Sequence, residues 1–390
     1  MNARRAVTWL IAAGAVLWAG SVPAQALLTP SAVNLFRHMD MNAYAKTGVL
    51  ALDSTAQWVT YRDGAWVTLG AATSAIDGGA IHAQYDFSTS SDYATNAVSL
   101  RLALAGQQDI STLTQVMMDT PTSYRVWAFN DPGAPETWTL LTGSTENPGG
   151  WQAGTSTINT NVNGEFQYVQ IDYVGMQNWY IRVHEVVARP MANAQIGLFS
   201  GYNLMSYRPA DGGPGPVPSY EPNSTRDPLY VSGWRSWTAY NPNAVLDPYD
   251  VMSYLVQETE SLTGPAVDNL NYFVLPLNDL YTLAGFAACM YPDQRWTDLF
   301  VWYTDDETID EDTEWKLAYQ HKGTLGGSPI IAFDKPIQAR YVKVEAPHRT
   351  DGGNGAMCEF ELFATQIPEP ATMSLLALGG LAMLRRRAWR

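Results

Sequence analysis

The stretch A-R-Y-V-K-V at residues 339–344, with the loop D-G-G-N-G at 351–355 and the stretch E-F-E-L-F at 359–363, decides the fold of this chain. Apolar and polar residues alternate in the first and third of these segments, which is the period of a half-buried β-strand. The glycine-rich segment between them has the composition of a connecting loop. Two β-strands are therefore predicted at the end of the folded part of the chain.

Segments of the same kind occur along most of the preceding sequence, bounded by glycine, proline, asparagine and aspartate. Long amphipathic helical periodicity is scarce after the N-terminal region, so the pattern favours short strands joined by loops. Frequent threonine and tyrosine agree with this interpretation. Strands are predicted at residues 97–105, 124–129, 167–173, 180–187, 272–277, 299–303, 315–319 and 341–345.

Five short motifs occur in the same order in both halves of the chain. The matched pairs are residues 75–77 with 266–268, 126–127 with 301–302, 138–140 with 315–317, 168–171 with 341–344, and 185–188 with 361–364. One such pair is expected by chance, but five in order indicate two copies of one β domain. The tryptophans of these motifs recur within predicted strands, and we assign them to the core: Trp127, Trp138, Trp302 and Trp315.

This ordered pattern resembles the discoidin, or coagulation-factor C-type, domain of the galactose-binding-like jelly-roll superfamily. The segments at 339–344, 351–355 and 359–363 carry the resemblance, which is weaker in the first copy. The resemblance implies an all-β chain with two tandem galactose-binding-like jelly-roll β-sandwiches. We place the first at residues 27–190 and the second at 191–365.

The second copy contains a long loop-rich insert in its N-terminal part, at residues 203–264. Within it, Trp234, Arg235, Trp237 and Tyr240 combine aromatic surface with polar groups. Sugar binding needs both, since aromatic rings supply contact area and polar groups orient the hydroxyls. We predict these four residues as the ligand site; the alternative is that the aromatics cover one end of the sandwich.

The first 26 residues have the three parts of a secretory signal peptide. Arg4 and Arg5 precede an apolar run at 6–19, and Ala24 and Ala26 form the small-x-small site that signal peptidase cleaves. An apolar run this short, followed by such a site, is typical of a signal rather than of a membrane span. Export is therefore predicted.

The C-terminus has a second three-part pattern. Pro368, Glu369 and Pro370 precede fourteen apolar residues at 371–384, and an arginine cluster follows. As a helix the apolar run covers roughly 21 Å, less than the ~30 Å hydrocarbon core. The pattern at 366–390 resembles the PEP-CTERM sorting signal, which implies recognition of the tripeptide, processing by a membrane-embedded exosortase, and a Gram-negative organism. A simple tail anchor is the alternative.

Processing of both ends changes the charge of the chain. It leaves 17 of the 23 basic residues against 38 acidic ones if the cut follows Glu369, a net charge of −21. Such a surface repels nucleic acid and anionic membranes, so neither is a predicted partner. Contact with a membrane is expected only through the unprocessed C-terminal helix. The composition suits a cell-surface or extracellular-matrix protein.

The two cysteines, Cys289 and Cys358, lie in apparent strands of one predicted domain. An exported protein allows them to oxidise, so we predict a disulfide between them. Two buried free thiols are the alternative. Metal binding by two thiols alone is not expected.

No residues with the spacing of a catalytic site stand out. The five histidines are scattered, and the serine in G-L-F-S-G at 197–201 is one position late for a nucleophile elbow. Glycosidases need two positioned carboxylates, and among the 38 acidic residues no pair is distinguished. We therefore predict no catalytic residues and no enzyme.

No cofactor is predicted, although the sequence leaves a structural calcium open. The resembled family often holds calcium with an early aspartate loop and a glutamate near the last strand. Asp77, Asp268, Glu185 and Glu361 lie in corresponding places. The acidic run at 305–314 lacks the spacing of a calcium loop and is interpreted as a solvated connection.

The expected function is that of a non-catalytic surface or matrix protein whose modules bind glycan, such as the organism's own exopolysaccharide. One alternative is a structural or adhesive protein that contacts other proteins. A polysaccharide-active hydrolase is the least favoured alternative.

Overall fold

The computed structural model describes residues 33–62, 64–76, 83–87, 98–143, 152–176, 180–192, 200–202, 231–232, 234–236, 255–257, 272–290, 296–325, 329–345 and 356–365. Residues Leu28–Thr365 form one compact unit. The signal peptide and the sorting helix lie outside the described residues. The predicted boundary between two domains at residue 190 stays a prediction.

The described part contains one α-helix and seventeen strands. The helix, α1, is Met41–Thr47. The strands of the first half are β1 Thr55–Arg62, β2 Ala65–Ala71, β3 Ala83–Asp86, β4 Val98–Met117, β5 Pro121–Phe129, β6 Thr139–Thr142, β7 Gln152–Ala153, β8 Thr157–Met176 and β9 Tyr180–Pro190. Those of the second half are β10 Val231–Ser232, β11 Trp234–Ser236, β12 Leu255–Gln257, β13 Tyr272–Met290, β14 Trp296–Thr304, β15 Lys316–Leu325, β16 Ile330–Glu345 and β17 Ala356–Ala364.

The first sheet is built on two long neighbouring strands. All nine of its strands pair antiparallel, in the order β2-β1-β4-β8-β5-β6, with β9 also beside β4. Register shifts between Ala103 and Gln108 and between Ile110 and Thr112 interrupt the pairing of β4 with β8. Such irregularities bend a strand, and β4 changes its outer partner there from β1 to β9.

The second sheet repeats this plan with eight strands. Its order is β11-β12-β17-β13-β16-β14-β15, and β13 and β16 are the long central pair. The register agrees with the sequence repeat: Trp127 pairs with Gln170 and Leu140, and Trp302 pairs with Lys343 and Leu317. The predicted all-β fold is confirmed as two antiparallel sheets with a repeated register.

The core follows from the alternation seen in the sequence. In β4 the side chains of Leu100 and Leu102 are fully buried, whereas Arg101 between them is only half-buried. Val342 and Val344 are buried in the same way on either side of Lys343. Each sheet therefore has an inner face of apolar residues and an outer face that carries the polar and aromatic residues between them.

The segment before α1 connects the closing strands of both halves. The Leu35 amide donates to the Ala188 carbonyl of β9 at 2.8 Å, and the Met39 amide donates to the Gly201 carbonyl at 2.8 Å. The Gly201 amide in turn donates to the Ala364 carbonyl of β17 at 3.0 Å. This N-terminal segment, which has no counterpart in the sequence repeat, therefore joins the ends of the two copies.

Candidate functional site

The residues predicted as the ligand site lie at the limit of the described structure. Trp234 and Arg235 belong to β11, where they pair with Gln257 and Val256 of β12. Their side chains, together with all of Trp237 and Tyr240, lie outside the described residues. The ligand site predicted there stays a prediction.

The two cysteines lie in neighbouring strands. Cys289 of β13 pairs with Glu359, the residue after Cys358 in β17. The side chains of both cysteines lie outside the described residues, so the disulfide stays a prediction.

The tryptophans assigned to the core lie instead on the outer faces of the sheets. Trp127 stands between the fully buried Val126 and Ala128, so its side chain points the opposite way from theirs and is half-buried. Trp302 follows the fully buried Val301 and is half-buried as well. Trp138 and Trp315, also half-buried, immediately precede β6 and β15. The core assignment from the sequence was wrong for all four.

The outer face of the first sheet, which we call face 1, carries a group of aromatic rings: Tyr61, Trp66, Trp127, Phe129, Trp138 and Tyr168. Trp138 stacks on Phe129 with ring centroids 3.9 Å apart and lies nearly parallel to Trp66 at 5.6 Å. Tyr61 meets Trp66 edge-on and is 58% exposed. Face 1 is therefore an aromatic surface with partial access to solvent.

A guanidinium group lies among these rings. The Cζ atom of Arg101 is 5.0 Å from the centroid of Trp66, 5.4 Å from that of Trp138 and 5.7 Å from that of Phe129. Its Nε donates to the Gln170 Oε1 at 2.9 Å. Burial lowers the pKa of Arg101, and Asp172 acts against that shift. Arg101 is thus held by rings and by a neutral amide.

A buried carboxylate underlies face 1. Asp172 is 1% exposed and accepts hydrogen bonds from Arg125 Nε at 2.7 Å, Gln170 Nε2 at 2.7 Å, Trp127 Nε1 at 2.9 Å and Ser99 Oγ. Arg125 also compensates its charge as an ion pair. The hydrogen bonds of the Asp172 carboxylate therefore hold Trp127 and the neighbouring side chains in place.

The outer face of the second sheet, which we call face 2, has the same parts: Tyr272, Phe300, Trp302, Trp315, Lys343 and Glu345. Trp302 Nε1 donates to Glu345 Oε2 at 2.6 Å. The Lys343 Nζ lies 5.1 Å from the centroid of Trp315, 5.3 Å from that of Tyr272 and 5.7 Å from that of Trp302. Burial lowers the pKa of Lys343, and Glu345 opposes that effect.

The two faces share the positions of one tryptophan and of the carboxylate, but the position of the cation differs. Asp172 and Glu345 occupy the same place, as do Trp127 and Trp302. In face 1 the cation is on β4 and its β8 partner is Gln170. In face 2 the cation is on β16, and its β13 partner is Val274.

The glutamates considered for calcium have protein partners. Arg37 donates to Glu361 through Nε at 2.9 Å and through Nη2, and both side chains are almost fully buried. The equivalent Glu185 accepts from Asn34 Nδ2 at 3.5 Å. Asp77 and Asp268 lie outside the described residues, within which no group of three or more metal-ligating side chains occurs. Arg37 therefore supplies the positive charge at Glu361.

One histidine–carboxylate pair occurs near α1. His38 Nδ1 hydrogen-bonds Asp53, and its Nε2 lies 3.1 Å from the Ser200 carbonyl oxygen. Burial, with a smaller contribution from Asp53, raises the pKa of Tyr202 beside it to about 12. Because both ring nitrogens of His38 are engaged, neither is placed to take a proton from a substrate.

Comparison with protein families identifies the C-terminus. Residues 366–388 match the family described as the PEP-CTERM protein-sorting motif. The chain thus carries this motif, which implies export and membrane-associated processing by an exosortase in a Gram-negative bacterium. Comparison with curated proteins gives no match.

Solved structures similar to this chain include carbohydrate-binding modules and a lectin. The CBM32-1 and CBM32-2 domains of Clostridium perfringens ZmpB in complex with GalNAc are 12% identical, cover 87% of this chain and 100% of their own, and give a TM-score of 0.26. The fucolectin from striped bass (Morone saxatilis) serum is 14% identical, with coverages of 86% and 99% and a TM-score of 0.27. Chitosan-binding module 1 from a Paenibacillus sp. IK-5 chitosanase/glucanase is 15% identical, covers 35% of this chain and 96% of its own, and also gives 0.27.

No helix in the described ranges is long and apolar enough to cross a membrane. The apolar run at 371–384, predicted as a membrane-embedded helix before processing, lies outside those ranges.

Proposed function

We propose that this protein is a non-catalytic glycan-binding protein of the cell surface or extracellular matrix, and that face 1 and face 2 are its binding surfaces. The observation that carries the proposal is the repeat of one arrangement on both sheets. A tryptophan donates to a buried carboxylate, and a cation lies among half-exposed rings beside it.

The arrangement suits a sugar ring. Aromatic rings favour the apolar C–H face of a sugar, and fixed polar groups orient its hydroxyls. The carboxylates hold Trp127 and Trp302 in place by hydrogen bonds to their indole N–H groups. Rings fixed before binding lose little conformational entropy when a ligand packs on them.

The sorting motif supports a surface location. Export followed by exosortase processing brings the protein to the compartment where exopolysaccharide lies, and signal peptidase is the proposed partner at the N-terminus. Exopolysaccharide is therefore the proposed ligand source. The cluster of Trp234, Arg235, Trp237 and Tyr240 remains a proposed additional contact.

Retention of the purified protein on immobilised polysaccharides tests this function. Trp138→Ala and Trp315→Ala are expected to reduce retention, and the double variant is expected to abolish it. Tyr180→Ala removes a half-buried ring that packs under Arg182 outside both faces and serves as the matched control. Unchanged retention of the double variant, with surface assembly impaired, would favour the structural or adhesive alternative instead.

A further inference from the structure

Among the described residues, the cation of face 1 has no acidic partner of its own. Arg101 donates through Nε to the neutral amide of Gln170. Its Nη2 is buried and has no hydrogen-bond partner among the described residues. The nearby Asp172 already accepts from four side chains, of which Arg125 is its ion-pair partner. Arg101 therefore keeps unused donors in the middle of an aromatic surface.

The cation of face 2, Lys343, also has no ion-pair partner among the described residues. Within the described part of the chain, Lys343 forms neither an ion pair nor a hydrogen bond, and its Nζ faces three aromatic rings. Glu345 on the same strand receives the Trp302 indole N–H at 2.6 Å. Burial disfavours the charged amine and lowers its pKa. The ammonium donors therefore have no acceptor among the described residues.

Desolvated cations without a carboxylate partner are costly, and proteins ordinarily pair them. Cation–π contacts compensate part of this cost. The same unpaired cation occurs in both copies although it stands on different strands. Two different residues, Arg101 and Lys343, place a cation among aromatic rings. A binding requirement shared by both copies explains this recurrence better than a packing feature of one sheet.

We propose that Arg101 and Lys343 each bind the carboxylate of a uronic acid residue, so that the protein recognises an acidic polysaccharide. This inference rests on the proposed glycan-binding function and specifies its substrate class. A hexuronate carries its carboxylate at the rim of the sugar ring, so the apolar ring face packs on tryptophan while the carboxylate reaches the cation. The guanidinium of Arg101 has donors beyond the Nε used on Gln170 and keeps its charge at any physiological pH, and the ammonium of Lys343 acts as a point charge.

Acidic residues near face 2 act against an anionic ligand there. The exposed loop at 305–314 ends directly before Trp315, and within it Asp305 pairs with Lys316 at 2.6 Å. Exposed charges are screened over about 8 Å at physiological ionic strength, whereas half-buried contacts are screened less. The local cations therefore remain attractive although the whole chain is acidic, and face 1 is the stronger of the two sites.

The test compares polygalacturonate with the same polymer after its carboxyl groups are reduced to alcohols. The native protein is expected to bind the carboxylated polymer about tenfold more tightly, the worth of a charge-assisted hydrogen bond. Arg101→Met and Lys343→Met should each remove part of this preference, and the double variant should remove all of it. Lys343→Arg should keep it. Lys335→Met, on the exposed part of the same strand, is the matched control.

A measurement on the native protein alone guards against misfolded variants. Free galacturonate should displace the protein from the carboxylated polymer at lower concentration than galactose does. Equal binding of both polymers, or equal competition by both sugars, would overturn the carboxylate proposal while leaving glycan binding intact. Failure to bind any polysaccharide would overturn the proposed function itself.

Discussion

Face 1 and face 2 are built on the same strand register but obtain their positive charge from different strands. In face 1 the cation is Arg101 of β4, opposite Gln170 of β8. In face 2 the position of Arg101 is taken by Val274, and the position of Gln170 by Lys343. The positive charge therefore lies on a different strand in each face, while Trp127 and Trp302 hold the same position and so do the two carboxylates. The difference shows that a cation can reach the rings from either of the two neighbouring strands.

The carboxylates of the two faces differ in a second way. Asp172 pairs in register with Arg125, which compensates its charge, whereas Glu345 pairs with Phe300. Glu345 therefore depends on the Trp302 indole and on the nearby Lys343. The same contrast occurs at the closing strands, where Glu361 has Arg37 and its equivalent Glu185 has the neutral Asn34. Asp172 and Glu361, one in each copy, thus each form an ion pair with an arginine.

The largest expected effect is on the free energy of unfolding, and it concerns the ion pair at the closing strands. Arg37→Ala leaves Glu361 buried without its countercharge and should lower the free energy of unfolding by about 3–5 kcal/mol. Asn34→Ala removes an uncharged donor to Glu185 and the acceptor of the Phe36 and Ala188 amides, and should cost about 1–2 kcal/mol. Urea denaturation of both variants measures the difference. Equal costs would show that the ion pair is no more important than its neutral counterpart.

The second prediction concerns the acids beneath the faces. Asp172→Asn weakens four hydrogen bonds and removes the countercharge of Arg125, so about 2–3 kcal/mol of stability should be lost. Glu345→Gln weakens one indole hydrogen bond and should cost about 1 kcal/mol. Thermal unfolding with tryptophan fluorescence reports both. A larger loss for Glu345→Gln would contradict the assignment of Asp172 as the more heavily used carboxylate.

The pH dependence of binding should separate the faces. Because the pKa of Lys343 is lowered, its amine loses its charge at lower pH than an ordinary lysine, whereas the Arg101 guanidinium stays charged. Among the described residues, Glu345 is the charged group that acts on the Lys343 amine, and the titratable ring of Tyr272 lies 5.3 Å from its Nζ. In the Arg101→Met variant only face 2 keeps its cation, and in Lys343→Met only face 1 does. As the pH is raised, carboxylate binding by Arg101→Met should therefore weaken at a lower pH than carboxylate binding by Lys343→Met. Parallel pH profiles would contradict this.

The smallest expected effect is on ligand affinity, and it tests the role of the acidic loop at 305–314. Glu314 is exposed and directly precedes Trp315. Glu314→Gln should strengthen binding of a uronate polymer at face 2 by about twofold, since one screened surface charge contributes a few tenths of a kcal/mol. Glu136→Gln, the exposed acid that lies two residues before Trp138, is the corresponding change at face 1. The measurement is the dissociation constant at two salt concentrations, and the gain should shrink at the higher one.

The sequence predicted the strands and the repeat because both depend on local alternation. It missed their full length: the strand predicted at 97–105 continues as Val98–Met117, since bulges carry it through the polar residues after Ala103. It also misplaced the four tryptophans, because their recurrence within predicted strands suggested a core. The buried Val126 and Ala128 on either side of Trp127 require an outward side chain.

The residues that come together in the two faces could not be predicted from local sequence patterns. Arg101 and Gln170 are 69 residues apart, and Arg37 and Glu361 are 324 apart, so neither contact leaves a signal in neighbouring residues. Lys343 stood inside the stretch that decided the fold, yet alternation shows only that it points outward. Which rings surround it depends on the pairing of β16 with β13 and β14.

The central claim is that one binding surface occurs twice in this chain. Titration calorimetry with a defined oligogalacturonate tests it most directly. We expect two bound oligosaccharides per native chain, and one per chain in Trp138→Ala and in Trp315→Ala. The remaining site should bind more tightly in Trp315→Ala, which keeps face 1. Unchanged stoichiometry in both variants would contradict the claim and would place binding elsewhere in the molecule.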